Sequence, residues 1–104
     1  MANPWRGEVG IVINGEEHRA KLTLGALAEL EETLQERSLM ALVERFENNR
    51  FSSRDVLALL SAGLKGGGCT LTADALAQAD IAGGPIAAAR AAAELLARAF
   101  VVPE

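Results

Sequence analysis

The chain has 104 residues and a mass of 10.9 kDa, a length that predicts one domain over residues 1–104. Half of the residues are hydrophobic, which argues against wholesale disorder, and 20 Ala and 15 Leu make helix the leading class of secondary structure. Fourteen acidic side chains against ten Lys and Arg give a net charge of −4, which argues against a nucleic-acid coat because such a coat needs concentrated positive charge.

A β-hairpin is predicted over about residues 7–22. Val9, Ile11 and Ile13 alternate with Glu8, Gly10 and Val12. The pair Asn14-Gly15 then suits a type I′ turn, because both central positions need positive φ. The pairs predicted by a two-residue turn are Ile13–Glu16, Ile11–His18 and Val9–Ala20. In this register one face of the hairpin is apolar and the other is charged.

Four to five short helices are predicted over about residues 24–100. Thr23 can cap the first helix, Ser52 with Asp55 resembles a capping box, and Pro85 suits the first position of the last helix. The buried stripes predicted for the first and last helices are Leu24, Leu27, Leu30 and Leu34, and Ile86, Ala89, Ala93, Leu96 and Phe100. The fold class is therefore α+β, mainly α: an N-terminal β-hairpin, packed on the first stripe, followed by a compact bundle of short helices.

Catalytic and metal chemistry find little support in the sequence. The single His18 lies within a predicted strand, and the single Cys69 is far from it along the chain, so no nucleophile–base motif is evident. A structural zinc site needs four ligands, and helical spacing spreads Glu29, Glu31 and Glu32 around their axis. We expect no catalytic residue, no metal ligand and no cofactor.

Three consecutive glycines, Gly66, Gly67 and Gly68, follow Lys65. A phosphate-binding loop has the opposite order, with glycines before a Lys that opens a helix. The simpler interpretation is a helix C-cap, with Lys65 near the negative end of the helix dipole. Three glycines exceed what a cap requires, so a second hypothesis makes them a candidate protein-interaction site where backbone approaches a partner closely.

The first strand is predicted to offer a second protein-interaction site along its edge. Gly10 and Val12 carry no charge on the outward face, so they leave unpaired backbone groups less guarded against strand addition. Trp5 and Arg6 lie beside this strand and are residue types favoured in interfaces. The sequence thus predicts self-association or partner binding here, against the alternative of a monomer in which the N-terminal segment folds over the edge.

Several segments together resemble a known family. They are Arg6-Gly7-Glu8-Val9, the run from Leu22 to Glu31, and Ala62-Gly63-Leu64-Lys65-Gly66-Gly67-Gly68. In this order and spacing they are similar to the small gene transfer agent family of phage tail proteins, labelled either tail tube protein or tail assembly chaperone. The resemblance covers the chain from about Asn3 to Phe100.

The resemblance implies a role in phage-tail morphogenesis without enzyme activity. A tail assembly chaperone keeps the tape measure protein soluble and helps tail tube subunits polymerise around it, whereas a tube protein is itself the polymer. Tube subunits usually build a sizeable β-sandwich or barrel, and only about 15 residues are predicted as strand here, so the chaperone is favoured. The alternatives are a structural tail tube component and, less favoured, an enzyme or small-ligand protein that uses Cys69, Lys65 and the glycines.

The expected partners are the tape measure protein and tail tube subunits, and a homo-oligomer is a further expectation. We expect the protein to bind neither nucleic acid nor a membrane. The first residues, Met1 to Arg6, lack the apolar stretch of a signal peptide, and the apolar run near 86–102 is interrupted by charges. One unpaired cysteine fits a reducing compartment. We therefore expect the bacterial cytoplasm, or the phage-like particle if the protein is structural.

Overall fold

The computed structural model describes residues 7–34, 39–69 and 71–99. In chain order its elements are β1 (Val9–Ile13), β2 (Glu16–Ala20), α1 (Leu24–Leu34), α2 (Leu39–Glu47), α3 (Ser53–Gly66), α4 (Ala73–Ala77) and α5 (Gly84–Ala99). The predicted class, α+β and mainly α, with an N-terminal hairpin followed by short helices, is confirmed.

The hairpin has the predicted register. Val9 pairs with Ala20, Ile11 with His18 and Ile13 with Glu16. The turn residues Asn14 and Gly15 have φ angles of +52° and +82°, as a type I′ turn requires. The side chains of β1 that share a face with Ile11 are buried, and those of the other face are exposed.

Helix α3 lies at the centre of the fold, in contact with α1, α4, α5 and β2, while β1 contacts α5. The hairpin therefore packs mainly on α3 and α5, and the prediction that it packs on the stripe of the adjacent α1 is wrong. Helices α3 and α5 offer the longer apolar faces, with Leu59, Leu60, Leu95 and Leu96 all nearly inaccessible to solvent, so they cover more of the sheet.

The buried face of α1 also differs from the predicted stripe. Thr23 caps the helix as expected, since its Oγ1 accepts from the backbone N–H of Ala26 at 3.1 Å. Ala26 and Leu30 are buried, whereas Leu24 is 84% exposed. Leu24 and Leu30 are six positions apart. At about 100° per residue, their side chains therefore differ by about 120° around the helix axis. Leu24 therefore points away from α3, on which Leu30 packs.

In α5 the buried face is rotated from the predicted one. The buried residues are Ala88, Ala91, Ala92, Leu95 and Leu96, while Ile86 is 75% exposed. A Cβ added to Gly63 of α3 would lie 2.8 Å from Cδ1 of Leu95, so the close approach of α3 and α5 selects the face that carries Leu95. The charged residues Arg90, Glu94 and Arg98 lie away from this buried face, and the predicted stripe did not use that signal. Phe100, predicted on the same stripe, lies outside the described residues.

Helix α2 is attached to the start of α3 through a buried carboxylate. Arg45 donates from Nη2 to Oδ1 of Asp55 at 2.9 Å, and Asp55 is only 6% exposed. The other oxygen of Asp55 completes the predicted capping box with Ser52. Phe46 and Phe51 stack with their ring centroids 4.6 Å apart. Ser38, which precedes α2 and is a residue type common at helix N-caps, lies outside the described residues.

Candidate interaction surfaces

The three glycines form the contact between α3 and β2. A Cβ on Gly66 would overlap the carbonyl oxygen of Lys21, and one on Gly67 would overlap that of Arg19. The N–H of Lys21 donates to the carbonyl of Gly63 at 2.8 Å. The end of α3 thus lies directly against the outer edge of β2, and the backbone that the glycines approach closely belongs to this same chain.

Gly68 ends α3 in a Schellman motif. Its φ is +92°, and the N–H of the next residue, Cys69, donates back to the carbonyl of Leu64 at 2.8 Å, which is the 6→1 bond of that motif. Lys65 pairs with Glu29 of α1, with 2.9 Å between Nζ and Oε1. The predicted C-cap is confirmed, while partner binding by Gly66, Gly67 and Gly68 stays a prediction.

The outer edge of β1 is only partly open. Successive residues of an antiparallel strand direct their backbone groups to opposite edges, so Gly10, Val12 and Asn14 face away from β2. The carbonyl of Val12 accepts from Ala82 at 3.1 Å, and the N–H of Asn14 donates to Asp80 at 2.7 Å.

At the start of β1, Arg98 of α5 donates from Nη1 to the carbonyl of Glu8. Within the described residues, the backbone groups left without a partner on this edge are the N–H and C=O of Gly10 and the N–H of Val12. Gly10 is exposed and Val12 is 36% exposed. The edge site predicted at Gly10 and Val12 is thus shorter than the strand, and Trp5 and Arg6 lie outside the described residues.

Cys69 and His18 meet, which their separation in sequence did not lead us to expect. Sγ of Cys69 lies 3.6 Å from Nδ1 of His18, and Nε2 of the same ring lies 3.9 Å from a carboxylate oxygen of Glu16. The pair borders an open pocket of about 380 Å³ that Leu71 and Thr72 also line. The Schellman turn at Gly68 brings Cys69 to β2, and no local sequence motif signals such a contact.

A larger apolar groove lies between α3, α4 and the start of α5, with a volume of about 590 Å³. Its apolar lining includes Phe51, Val56, Leu57, Leu60, Leu76, Ala77, Ile81, Pro85, Ala88 and Ala89. We name it the apolar groove. This groove was not predicted from the sequence, although one signal was present: the apolar face of α3 is wider than one neighbouring helix needs to cover.

The described residues contain no group of three or more His, Cys, Asp or Glu that could hold a metal ion. Among them, every helix is too short or too polar to cross a lipid bilayer. The fold thus offers two candidate interaction surfaces. One is the partly open outer edge of β1, and the other is the apolar groove.

The sequence model of one protein family, described as phage tail tube protein, GTA-gp10, matches residues 6–101. The match spans nearly all of the chain, and the chain belongs to this family. No curated protein and no solved structure gives a significant match. The predicted membership of a gene transfer agent family of phage tail proteins is confirmed, and with it a role in phage tail morphogenesis or structure.

Proposed function

We propose that this protein is a tail assembly chaperone that binds the tape measure protein and tail tube subunits during assembly in the bacterial cytoplasm, without enzyme activity. The single observation that carries the proposal is the apolar groove. It is open and lined mainly by Ala, Leu and Phe51, and exposed apolar surface of this kind is typical of sites that bind other proteins. A chaperone needs such a surface to cover apolar segments of an unassembled partner.

The sheet supports the same proposal. Ten residues form β1 and β2, far fewer than the sandwich or barrel that tube subunits usually build. The end of α3 covers the outer edge of β2, and residues 80–82 cover part of the β1 edge. A tube wall built by continuous sheet pairing would need edges of this kind to be open.

The groove proposal can be tested by placing one charge inside the groove. Ala77 is exposed and lines it, and a Lys at the end of α4 is compatible with the helix dipole. We expect Ala77→Lys to reduce the amount of tape measure protein recovered in soluble form on co-expression by about tenfold. An ammonium that loses its hydration where an apolar partner segment packs costs more than about 1.4 kcal/mol.

The matched control is Ala93→Lys, since Ala93 is also exposed but lies on α5 away from the groove lining. It should leave the soluble yield unchanged. Equal yields for both variants would exclude the groove as the binding surface. If the wild-type protein neither raises the solubility of the tape measure protein nor co-purifies with it, the chaperone proposal itself is wrong.

A structural tail tube component is the second candidate, and the description of the family favours it. In that case the protein would be present in many copies in the finished particle. The contact between Cys69 and His18 favours a third candidate, an enzyme or ligand-binding protein. Against this third candidate we propose that the pair packs the junction of α3 and β2.

A further inference from the structure

Residues 80–82 lie along the outer edge of β1, where Ile81 makes an isolated β-bridge, and we name these three residues the edge cap. Ile81 bridges Ile13 in antiparallel orientation. The N–H of Ala82 donates to Val12 at 3.1 Å, and the N–H of Asn14 donates to Asp80 at 2.7 Å. The edge cap ends at Gly83, where φ is +88°, so the chain turns away before it reaches Gly10.

The edge cap is attached by few contacts. Asp80 and Ala82 are exposed and Ile81 is half-buried. Besides the two backbone bonds, Asp80 donates from its N–H to Oδ1 of Asn14 at 2.9 Å. Elements held by exposed hydrogen bonds and little apolar burial open at lower free energy than the core. The neighbouring strand β1 is held more firmly, because Val9, Ile11 and Ile13 are all buried.

We propose that the edge cap is displaceable, and that its release opens β1 to antiparallel pairing with β1 of a second copy. Release frees the carbonyl of Val12 and the N–H of Asn14, which join the unpartnered groups of Gly10 in one continuous edge. The outer edge of β2 is not available, because the end of α3 lies against it. The hairpin therefore has one edge at which a strand can add.

The charge pattern indicates why the occupant is a second copy. Gly10 and Val12 are the central outward-facing residues of β1, and neither is charged. In a two-fold antiparallel pair centred on Gly10, Glu8 of each copy lies opposite Val12 of the other. Like charges directly opposite each other destabilise a sheet, and this arrangement has none. The inference does not depend on the chaperone proposal, since it concerns contacts between copies of this chain.

The first test removes one bond of the edge cap. In Ala82→Pro the donor to Val12 is lost, while the preceding Ile81 is already in a bridge and so in the extended conformation that a residue before Pro prefers. We expect sedimentation equilibrium to show an association constant for dimerisation about fivefold to tenfold above that of wild type. This is the effect expected when the edge cap loses one hydrogen bond and is released more easily. Ala82→Gly keeps the N–H and should dimerise like wild type.

Adding Val12→Glu to Ala82→Pro should return the protein to the wild-type monomer–dimer equilibrium, because it places a second carboxylate directly opposite Glu8 of the other copy. A dimer that persists in the double variant would overturn β1 as the interface. A dimerisation constant for a folded Ala82→Pro protein equal to that of wild type would overturn the edge cap itself.

A second measurement applies even if Ala82→Pro fails to fold. Hydrogen exchange of the wild-type protein should show the amides of Ala82 and Asn14, which hold the edge cap, exchanging faster than that of Ile11, which faces β2. Faster exchange at Ala82 and Asn14 than at Ile11 would show that the edge cap opens while the rest of the domain stays folded. Equal exchange at the three amides would mean that the cap opens only when the whole domain unfolds, and would overturn the proposal.

Discussion

At the residue scale, the glycines after Lys65 are there for two different reasons. Gly66 and Gly67 have no room for a Cβ, because the carbonyl oxygens of Lys21 and Arg19 lie against them. Gly68 has open space but a left-handed backbone, which costs any L-residue with a side chain. The tight junction of α3 with β2 therefore depends on the first two, and the helix end depends on the third.

This difference predicts unequal effects of alanine. We expect Gly66→Ala to lower the free energy of unfolding by about 2–4 kcal/mol, because backbone and not a flexible side chain must move. Gly68→Ala should cost about 1 kcal/mol for its backbone conformation alone. Urea denaturation followed by circular dichroism measures both.

Gly25 is the matched control, since it lies in α1 and its nearest neighbour is 4.0 Å from an added Cβ. Gly25→Ala should stabilise the protein by about 0.5–1 kcal/mol through helix propensity. If Gly66→Ala unfolds at the same urea concentration as wild type, the close packing of α3 on β2 described above is incorrect.

Replacing Cys69 tests whether its contact with His18 has a chemical role. Cys69→Ser keeps a small polar group 3.6 Å from Nδ1 but replaces the nucleophilic thiol by a far weaker nucleophile. We expect normal particle production and a loss of stability below about 1 kcal/mol, because a serine hydroxyl can hydrogen-bond the imidazole in place of the thiol. Production lost in a Cys69→Ser protein that is folded and soluble would favour the enzyme or ligand-binding alternative.

At the element scale, two ion pairs between helices differ in how much they contribute to holding the helices in place. Asp55 holds α2 through Arg45 and caps α3, and its side chain is 8% exposed. Glu29 joins α1 to Lys65 of α3, but both side chains are more than half exposed. Exposed pairs contribute little because water screens them, whereas a buried carboxylate depends on its partners.

We therefore expect Asp55→Asn to lower the free energy of unfolding by about 2 kcal/mol, through loss of charge-assisted hydrogen bonds to Arg45 and to the cap. Glu29→Gln should cost less than about 1 kcal/mol. Thermal denaturation of both variants gives the comparison. Similar losses for the two would contradict the account of how α2 is attached.

The elements also show which features were predictable from sequence. The register of β1 with β2 follows from local information, namely the alternation around Ile11 and the Asn14-Gly15 turn. The capping box of α3 is equally local. The predicted face of α5 was wrong because it was built around Ile86 and did not use the polar side marked by Arg90, Glu94 and Arg98. The contact of Leu95 with Gly63 of α3 fixes the observed face.

Contacts that depend on the path of the chain were not predictable. The junction of Cys69 with His18 requires the Schellman turn and the docking of α3 on β2 together. The edge cap requires α4 and its connection to return to β1, which no motif in residues 70–84 indicates. The glycines did suggest a close backbone approach, but their sequence does not show that β2 is what they approach.

At the scale of the whole molecule, the apolar face of the sheet and much of its two edges are covered by the rest of the chain. The end of α3 covers one edge, the edge cap and Arg98 cover parts of the other, and α3 and α5 cover the apolar face. The apolar groove stays open. This arrangement supports the proposed chaperone role, because it leaves little continuous sheet from which to build a tube wall.

The measurement that tests this account most directly is quantitative mass spectrometry of purified gene transfer agent or prophage particles. Copies of this chain are counted against the tape measure protein and the major tail tube subunit of the same particles. A tail assembly chaperone acts before the particle is complete, so the account predicts that the protein is absent or present only in traces, and that deleting it lowers the yield of tailed particles. Many copies of the chain in each finished tail would contradict the account and identify it as a tube component.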